Sequence, residues 1–185
     1  MIEDIFQETR ENMSKSVDDL KREFNKVRTG RASLSIMDGI RINYYGTPTP
    51  LNQMATLAVA DSRLITIQPW DVSAIKEIEK AILKSDLGLT PSSDGKIVRI
   101  AIPPLTEERR KELAKVTNKM SEEHKVAVRN IRREANEMLK ELKKEGDISE
   151  DEAFKAQDRI QKITDDHIKL VEQITREKEK EILEF

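Results

Sequence analysis

The spacing of apolar residues changes character twice along this chain, and that change limits the architectures open to it. From Ile2 to Val27 the residues Ile2, Ile5, Phe6, Met13, Val17, Leu20, Phe24 and Val27 recur in steps of three or four, with one polar gap at Thr9. This is the stripe of one amphipathic helix. Gly30 ends it. The segment 30–105 then gathers all six prolines and five of the six glycines, residues that helix interiors exclude, so it is a separate unit. From Thr106 the helical spacing returns through Leu113, Val116, Met120, Ala127, Ile131, Ala135, Met138 and Leu142. A helix of about 40 residues at 1.5 Å per residue makes an arm about 60 Å long. Thr106 is placed to cap it, and Glu107 and Glu108 suit its positive N-terminus. Gly146 stops it. Ser149 to Glu152 then has the spacing of a capping box and opens a third helix, striped by Ala153, Ala156, Ile160, Ile163, Leu170, Ile174 and Ile182.

Helices this polar are marginal alone, so the three stripes must pack on one another. With 37% charged residues and only 4% aromatics, the packing is thin and elongated, without a deep substrate cavity. The predicted fold class is α+β: an elongated antiparallel three-helix bundle, residues 1–29 and 106–185, carrying an inserted small β/α/β domain at 30–105. Within the insertion, Ile40, Ile42 and Tyr44 alternate with polar neighbours, as do Leu57 with Val59, Ile65 with Ile67, and Val98 with Ile100 and Ile102, which predicts short half-buried strands. Gly46-Thr47-Pro48-Thr49-Pro50 is expected to be a turn or edge loop, because its prolines lack backbone donors. Ala74, Ile75, Ile78, Ala81 and Ile82 predict a helix capped by Asp71 or Ser73, and Asp94-Gly95 a turn. Only two peptide connections, at Gly30 and at Pro103-Pro104, join the units, an arrangement that permits hinge rotation.

Composition closes several functional classes. No cysteine is present, which removes disulfides, thiolate metal sites and cysteine nucleophiles. No apolar run reaches the length of a membrane span, and the acidic amphipathic N-terminus is unlike a signal peptide, so the expectation is a soluble cytoplasmic protein. Carboxylates are scattered along solvated faces, and neither a phosphate-cradling glycine loop nor a Ser-His-Asp signature occurs, which argues against an enzyme. His124 and His167 fall in register with apolar stripes and lie nearly equidistant from Gly146 along antiparallel helices, so they are expected to approach one another in the bundle. Two ligands without a third do not make a zinc site, and no cofactor is implied. Trp70, beside Pro69, and Tyr44 read as packing residues, whereas Tyr45 points to the opposite face.

Formal net charge is only −2, so local clustering has to reveal any polyanion partner. Residues 125–133 hold four positive charges and no acid. On a helical wheel with Ile131 facing the core, Lys125, Arg129, Arg132 and Arg133 share an outer arc of about 100°. Arginine forks fit phosphates bidentately, and a rigid helix fixes their spacing. The competing reading is a solvated helix face with Glu122, Glu123 and Glu134 as neighbours. A second basic group flanks Gly30: Lys26, Arg28 and Arg31, with Arg109, Arg110 and Lys111 at the start of the long helix. Lys26 is adequately explained as the positive end-charge of the first helix.

Five ordered segments carry a resemblance: Lys26-Val27-Arg28-Thr29-Gly30-Arg31-Ala32-Ser33, Tyr44-Tyr45-Gly46-Thr47-Pro48-Thr49-Pro50-Leu51, Ser85-Asp86-Leu87-Gly88-Leu89, Pro103-Pro104-Leu105-Thr106-Glu107-Glu108-Arg109-Arg110, and Val126-Ala127-Val128-Arg129-Asn130-Ile131-Arg132-Arg133. Over its whole length the chain resembles the bacterial ribosome recycling factor family. The resemblance implies an L-shaped, monomeric protein of tRNA-like size. Its bundle would contact 23S ribosomal RNA of the large ribosomal subunit, and it would act with elongation factor G and GTP to split the post-termination ribosome. By the same resemblance Arg132 and Arg129 match RNA-contacting positions, Arg28, Arg31 and Arg110 are further basic positions expected near RNA, and Gly30, Pro103, Pro104 and Leu105 match the hinge; Arg133 and Lys125 join the expected RNA-binding set from their place on the same basic arc. The rival reading is a helical adaptor or chaperone-like module that binds protein instead of RNA.

Overall fold

The computed structural model describes residues 1–184, which fold into two compact units, Met1–Arg28 with Glu107–Glu184, and Thr29–Thr106. The first unit is three helices: α1, Ile2–Lys26; α3, Glu107–Glu145; and α4, Glu150–Glu184. The polar gap in the α1 stripe is filled by Thr9 itself, which is buried and donates from Oγ1 to the carbonyl of Ile5 at 2.6 Å. A hydroxyl satisfied inside its own helix is tolerated in a core. Gly146, at φ +84°, takes the left-handed conformation that ends α3. The capping box then closes in both directions: Glu152 N–H donates to Ser149 Oγ at 3.1 Å, and Ser149 N–H donates to Glu152 Oε2 at 2.7 Å. The Ser149 backbone N–H and its hydroxyl hold the Glu152 carboxyl below its ordinary range.

The seam of the bundle differs from the expected stripe. On α3 the buried residues are Leu113, Thr117, Ser121, Val128, Ala135 and Leu139, while Val116 and Met138 are exposed and Ile131 is only partly buried. On α4, Val171, Thr175 and Lys178 are buried and Leu170 is exposed. The cause is polar: Thr117, Ser121, Thr175 and Lys178 occupy seam positions that a hydrophobic pattern cannot register. At 100° per residue the core direction of α3 lies about 50° away from Ile131.

The second unit holds a β-hairpin, β1 (Arg41–Tyr44) and β2 (Thr47–Pro50), and four further strands with a helix. The strands are β3, Ala55–Asp61; β4, Leu64–Pro69; β5, Pro91–Ser93; and β6, Val98–Ala101, and the helix is α2, Ile75–Lys84. The four strands form one antiparallel sheet of order β3-β4-β6-β5. Ile42, Leu51, Ile65, Ile67, Ile78, Ile82, Val98 and Ile100 are fully buried in the core of this unit. The expectation of a loop at Gly46–Pro50 is corrected: Thr47–Pro50 is a strand, and the turn is Tyr45-Gly46. Both turn residues have positive φ, +50° and +80°, as the mirror-image two-residue hairpin turns require. Pro48 and Pro50 face Asn43 and Arg41, the positions between the hydrogen-bonded pairs, where no backbone donor is required. The expected capping of α2 by Asp71 or Ser73 is corrected: Asp71 Oδ1 accepts from Ser73 N–H at 3.0 Å, but it caps the short 3-10 turn Val72–Ala74 that leads into α2, and α2 itself begins after Ala74 without a side-chain cap. Strand β5, three residues long, is too short for alternation to reveal, and Val59 on edge strand β3 is exposed, not half-buried.

Candidate nucleic-acid interface

The rotation of the α3 seam decides where its cations point. Arg129, Arg132, Arg133 and Lys125 still span about 100°, but their arc is centred about 100° from the core direction, not opposite it. They therefore line the flank of α3 that borders α4. Each takes a different part there. Arg129 is exposed and has neither hydrogen-bond nor ion-pair partner among the described residues. Arg132 is half-buried and its NH1 donates to Gln161 Oε1 of α4 at 3.3 Å, so its guanidinium is held in place by a neutral partner. Arg133 is exposed and reaches Asn130 of its own helix at 3.4 Å.

Lys125 departs from the outward-facing expectation. Its side chain is 16% exposed and its ammonium lies 3.1 Å from Glu122 and 3.4 Å from Glu172 of α4. Two carboxylates neutralise it, so its charge is spent within the bundle. Arg110 is likewise drawn inward: it is half-buried, NH1 donates to the Leu183 carbonyl at 3.2 Å, and Nε is shielded without a partner. Arg28 and Arg31 are both exposed, on either side of Gly30, whose φ of +78° no β-carbon-bearing residue adopts readily. Pro103 and Pro104 are exposed and Leu105 half-buried, all three outside regular structure.

Between α3 and α4 the flank forms a groove of about 450 Å³ lined by Arg132, Arg133, Asn136, Lys140, Gln157 and Gln161. Its charges are only partly balanced, by Glu137 against Lys140 at 2.6 Å. An unpaired arginine beside a second one held by a neutral amide can give full charge to a phosphate without first breaking an ion pair. Asp or Glu partners would impose that loss, as they do at Lys125.

The two histidines do not pair. His124 Nε2 lies 4.0 Å from Glu23, whereas His167 Nε2 lies 3.3 Å from Ser14, nine residues and about 13 Å of rise away along α1. The equal count from Gly146 misleads because the connection is asymmetric: α4 begins only at Glu150, and the contact of Lys125 with Glu172 sets the true register. Among the described residues no three His, Asp or Glu side chains are grouped to hold a metal ion, and no helix is long and apolar enough to cross a membrane. Trp70 is not a packing residue. It is 68% exposed, with its indole N–H donating to Thr56 Oγ1 at 3.1 Å, because Pro69 ends β4 and carries the ring past the sheet. Tyr44 is partly buried and donates to Asp71 at 2.8 Å, which raises its phenol pKa, while Tyr45 stands exposed at the turn. Neither exposed aromatic has a signal in hydrophobic spacing.

The family model described as Ribosome recycling factor matches residues 20–183 of the chain. The curated ribosome-recycling factor of Desulfatibacillum aliphaticivorans is 66% identical over 185 residues, covering all of both chains, and that of Geobacillus kaustophilus is 55% identical over 184 residues, again covering all of both chains. Among solved structures, a ribosome recycling factor in solution superposes with a TM-score of 0.73 at 45% identity, covering 100% of this chain and 98% of the other. The Thermus thermophilus ribosome recycling factor, from a study that places it with Escherichia coli elongation factor G on the E. coli post-termination complex, matches at TM-score 0.63 and 48% identity over 99% of both chains.

Proposed function

The chain belongs to the ribosome recycling factor family, and from that membership we propose that it binds the post-termination ribosome and, with elongation factor G and GTP, splits it into subunits, freeing mRNA and tRNA. The observation that carries this reading is the end-to-end match to curated ribosome-recycling factors, at 66% and 55% identity for the two described above. GTP hydrolysis belongs to elongation factor G. This chain supplies no catalytic residue and no cofactor, works as a monomer, and acts in the cytoplasm where ribosomes translate.

Its role is to grip. The bundle anchors on 23S ribosomal RNA of the large subunit, with Arg129 and Arg132 at the centre of the contact and Arg133 beside them. The support is physical: both guanidiniums stand on one long helix, so their spacing is fixed before RNA arrives and little ordering is left to be done on binding. Arg28, Arg31 and Arg110 add peripheral positive charge, and Lys125 acts mainly by bracing α3 against α4. Gly30, Pro103, Pro104 and Leu105 form the hinge through which the insertion responds to the moving elongation factor.

Co-sedimentation with isolated large subunits across a salt series tests the grip. Each phosphate contact removed lowers the slope of log affinity against log salt by roughly 0.7 to 0.9. Arg129→Ala with Arg132→Ala is therefore expected to flatten the slope by about 1.5 and to weaken binding most at low salt. Equal affinity and slope for parent and variant would overturn the anchoring.

A further inference from the structure

The groove beside the arginines continues toward the α3–α4 connection and ends at an aromatic ring that the grip does not use. On α4, Glu150, Phe154, Gln157 and Gln161 follow one another in steps of four, three and four, so they share one face of the helix. Gln157 and Gln161 line the groove described above, and Phe154 lines its extension with Lys140, Lys143 and Gln157. Phe154 is 72% exposed, although the chain has very few aromatic residues to spend on its surface.

We propose that the α3–α4 groove seats a single unpaired nucleotide of large-subunit RNA, its base stacked on Phe154 and its phosphate beside Lys140 and Lys143. This rests on the anchoring reading above and extends it from phosphate contact to base recognition. Two features favour RNA over protein as the occupant, and a third favours a single strand over a duplex. Arg132, Arg133, Lys140 and Lys143 outnumber the acids beside them, Glu137 and Glu150, which suits a polyanion. Gln157 and the lysines Lys140 and Lys143 flank one ring, the combination with which proteins hold single strands: a basic groove tracking the backbone and an aromatic face for the base. Only an unpaired base offers its face to the ring, since in a duplex both faces are stacked.

Binding of the full-length chain to isolated large subunits decides it. Phe154→Ala is expected to weaken binding between about fivefold and a hundredfold, the range for loss of one base–aromatic stack. The salt slope stays unchanged, because stacking releases no counterions. Phe154→Tyr retains affinity, and Phe154→Leu behaves like Phe154→Ala, because leucine keeps apolar area but has no π face. Chemical probing is expected to show one RNA base protected by the parent and by Phe154→Tyr and exposed again with Phe154→Ala. Phe154 is too exposed for these changes to unfold the helix. Unchanged affinity of Phe154→Ala overturns the proposal, as does full affinity of Phe154→Leu, which would mark an apolar protein pocket, and so does any other pattern. If Arg129→Ala with Arg132→Ala binds normally, the anchoring reading has failed; if that pair weakens binding and Phe154→Ala does not, only the nucleotide seat has failed.

Discussion

Thr117 is fully buried on α3, and its hydroxyl has no hydrogen-bond partner. Replacing it with valine exchanges the hydroxyl for a methyl of nearly the same size, and threonine and valine have similar helix propensities, so the orphaned hydroxyl is the main difference. An unsatisfied buried polar group costs about 1–3 kcal/mol. The lower end applies here, because Ser121 follows one turn later and Thr175, 2.9 Å from it, makes the seam locally polar. Thr117→Val is therefore expected to stabilise the bundle by about 1 kcal/mol, which in a unit of about 100 residues raises its melting temperature by roughly 4–8 °C. Thr164→Val is the matched control. It is equally buried in a helix, but its hydroxyl donates to the Ile160 carbonyl at 2.8 Å, so its removal is expected to be neutral or slightly destabilising. Thermal unfolding followed by circular dichroism at the helical band reads both. If Thr164→Val gains as much as Thr117→Val, or if Thr117→Val loses stability, the orphaned hydroxyl is not what limits this seam.

Two further outcomes follow from local chemistry. Ser149→Ala removes one half of the capping box and is expected to cost the bundle about 1 kcal/mol in denaturant unfolding, leaving the second unit's transition unmoved. Asp94 accepts from the backbone N–H groups of Ile97 and Lys96 and from Arg99, and these lower its pKa from 3.8 to about 2. Because the folded value is the lower one, its stabilisation is complete above pH 4 and is lost as pH falls from about 4 towards 2. Asp94→Asn is expected to remove that part of the acid sensitivity, measured as melting temperature against pH.

The architecture is legible because it is written in residue types that act over long spans. Proline and glycine confined to one segment mark the insertion, and Gly146 with the Ser149–Glu152 box marks the helix turn to within a residue. What fails to show are features carried by polar residues in apolar places. Thr117, Ser121, Thr175 and Lys178 belong to the seam, yet hydrophobic spacing skips them and settles on Val116, Met138 and Leu170 instead. That substitution turns α3 by about 50° and puts the arginines on an outer crest when they line a groove. The identities of the basic residues are evident in the sequence. Their states are not, since whether a lysine is neutralised depends on a residue far along the chain, as Glu172 is from Lys125.

The same polar seam gives the bundle two different halves. The half bearing the α3–α4 connection packs Phe6, Met13, Val128, Ala135, Leu139, Ile148 and Ile160 into one apolar cluster, stapled outside by Arg159, which lies 4.3 Å over the Phe6 ring and 2.5 Å from Glu3. The half from which the chain leaves for the insertion has a much smaller apolar cluster, Val17, Leu20, Phe24 and Val171, interleaved with the hydroxyls and with Lys178. Arg129, Arg132 and Phe154 all stand on the apolar half. A contact that must hold against an applied force is best carried where burial resists side-chain displacement, and close-packed apolar cores do so because every shift forfeits many contacts at once. The half nearest the two connections instead holds the orphaned hydroxyl of Thr117 and the buried Lys178. The RNA grip proposed above would thus stand on the stiffer, apolar half of the bundle, while the polar positions of the seam lie toward the two connections.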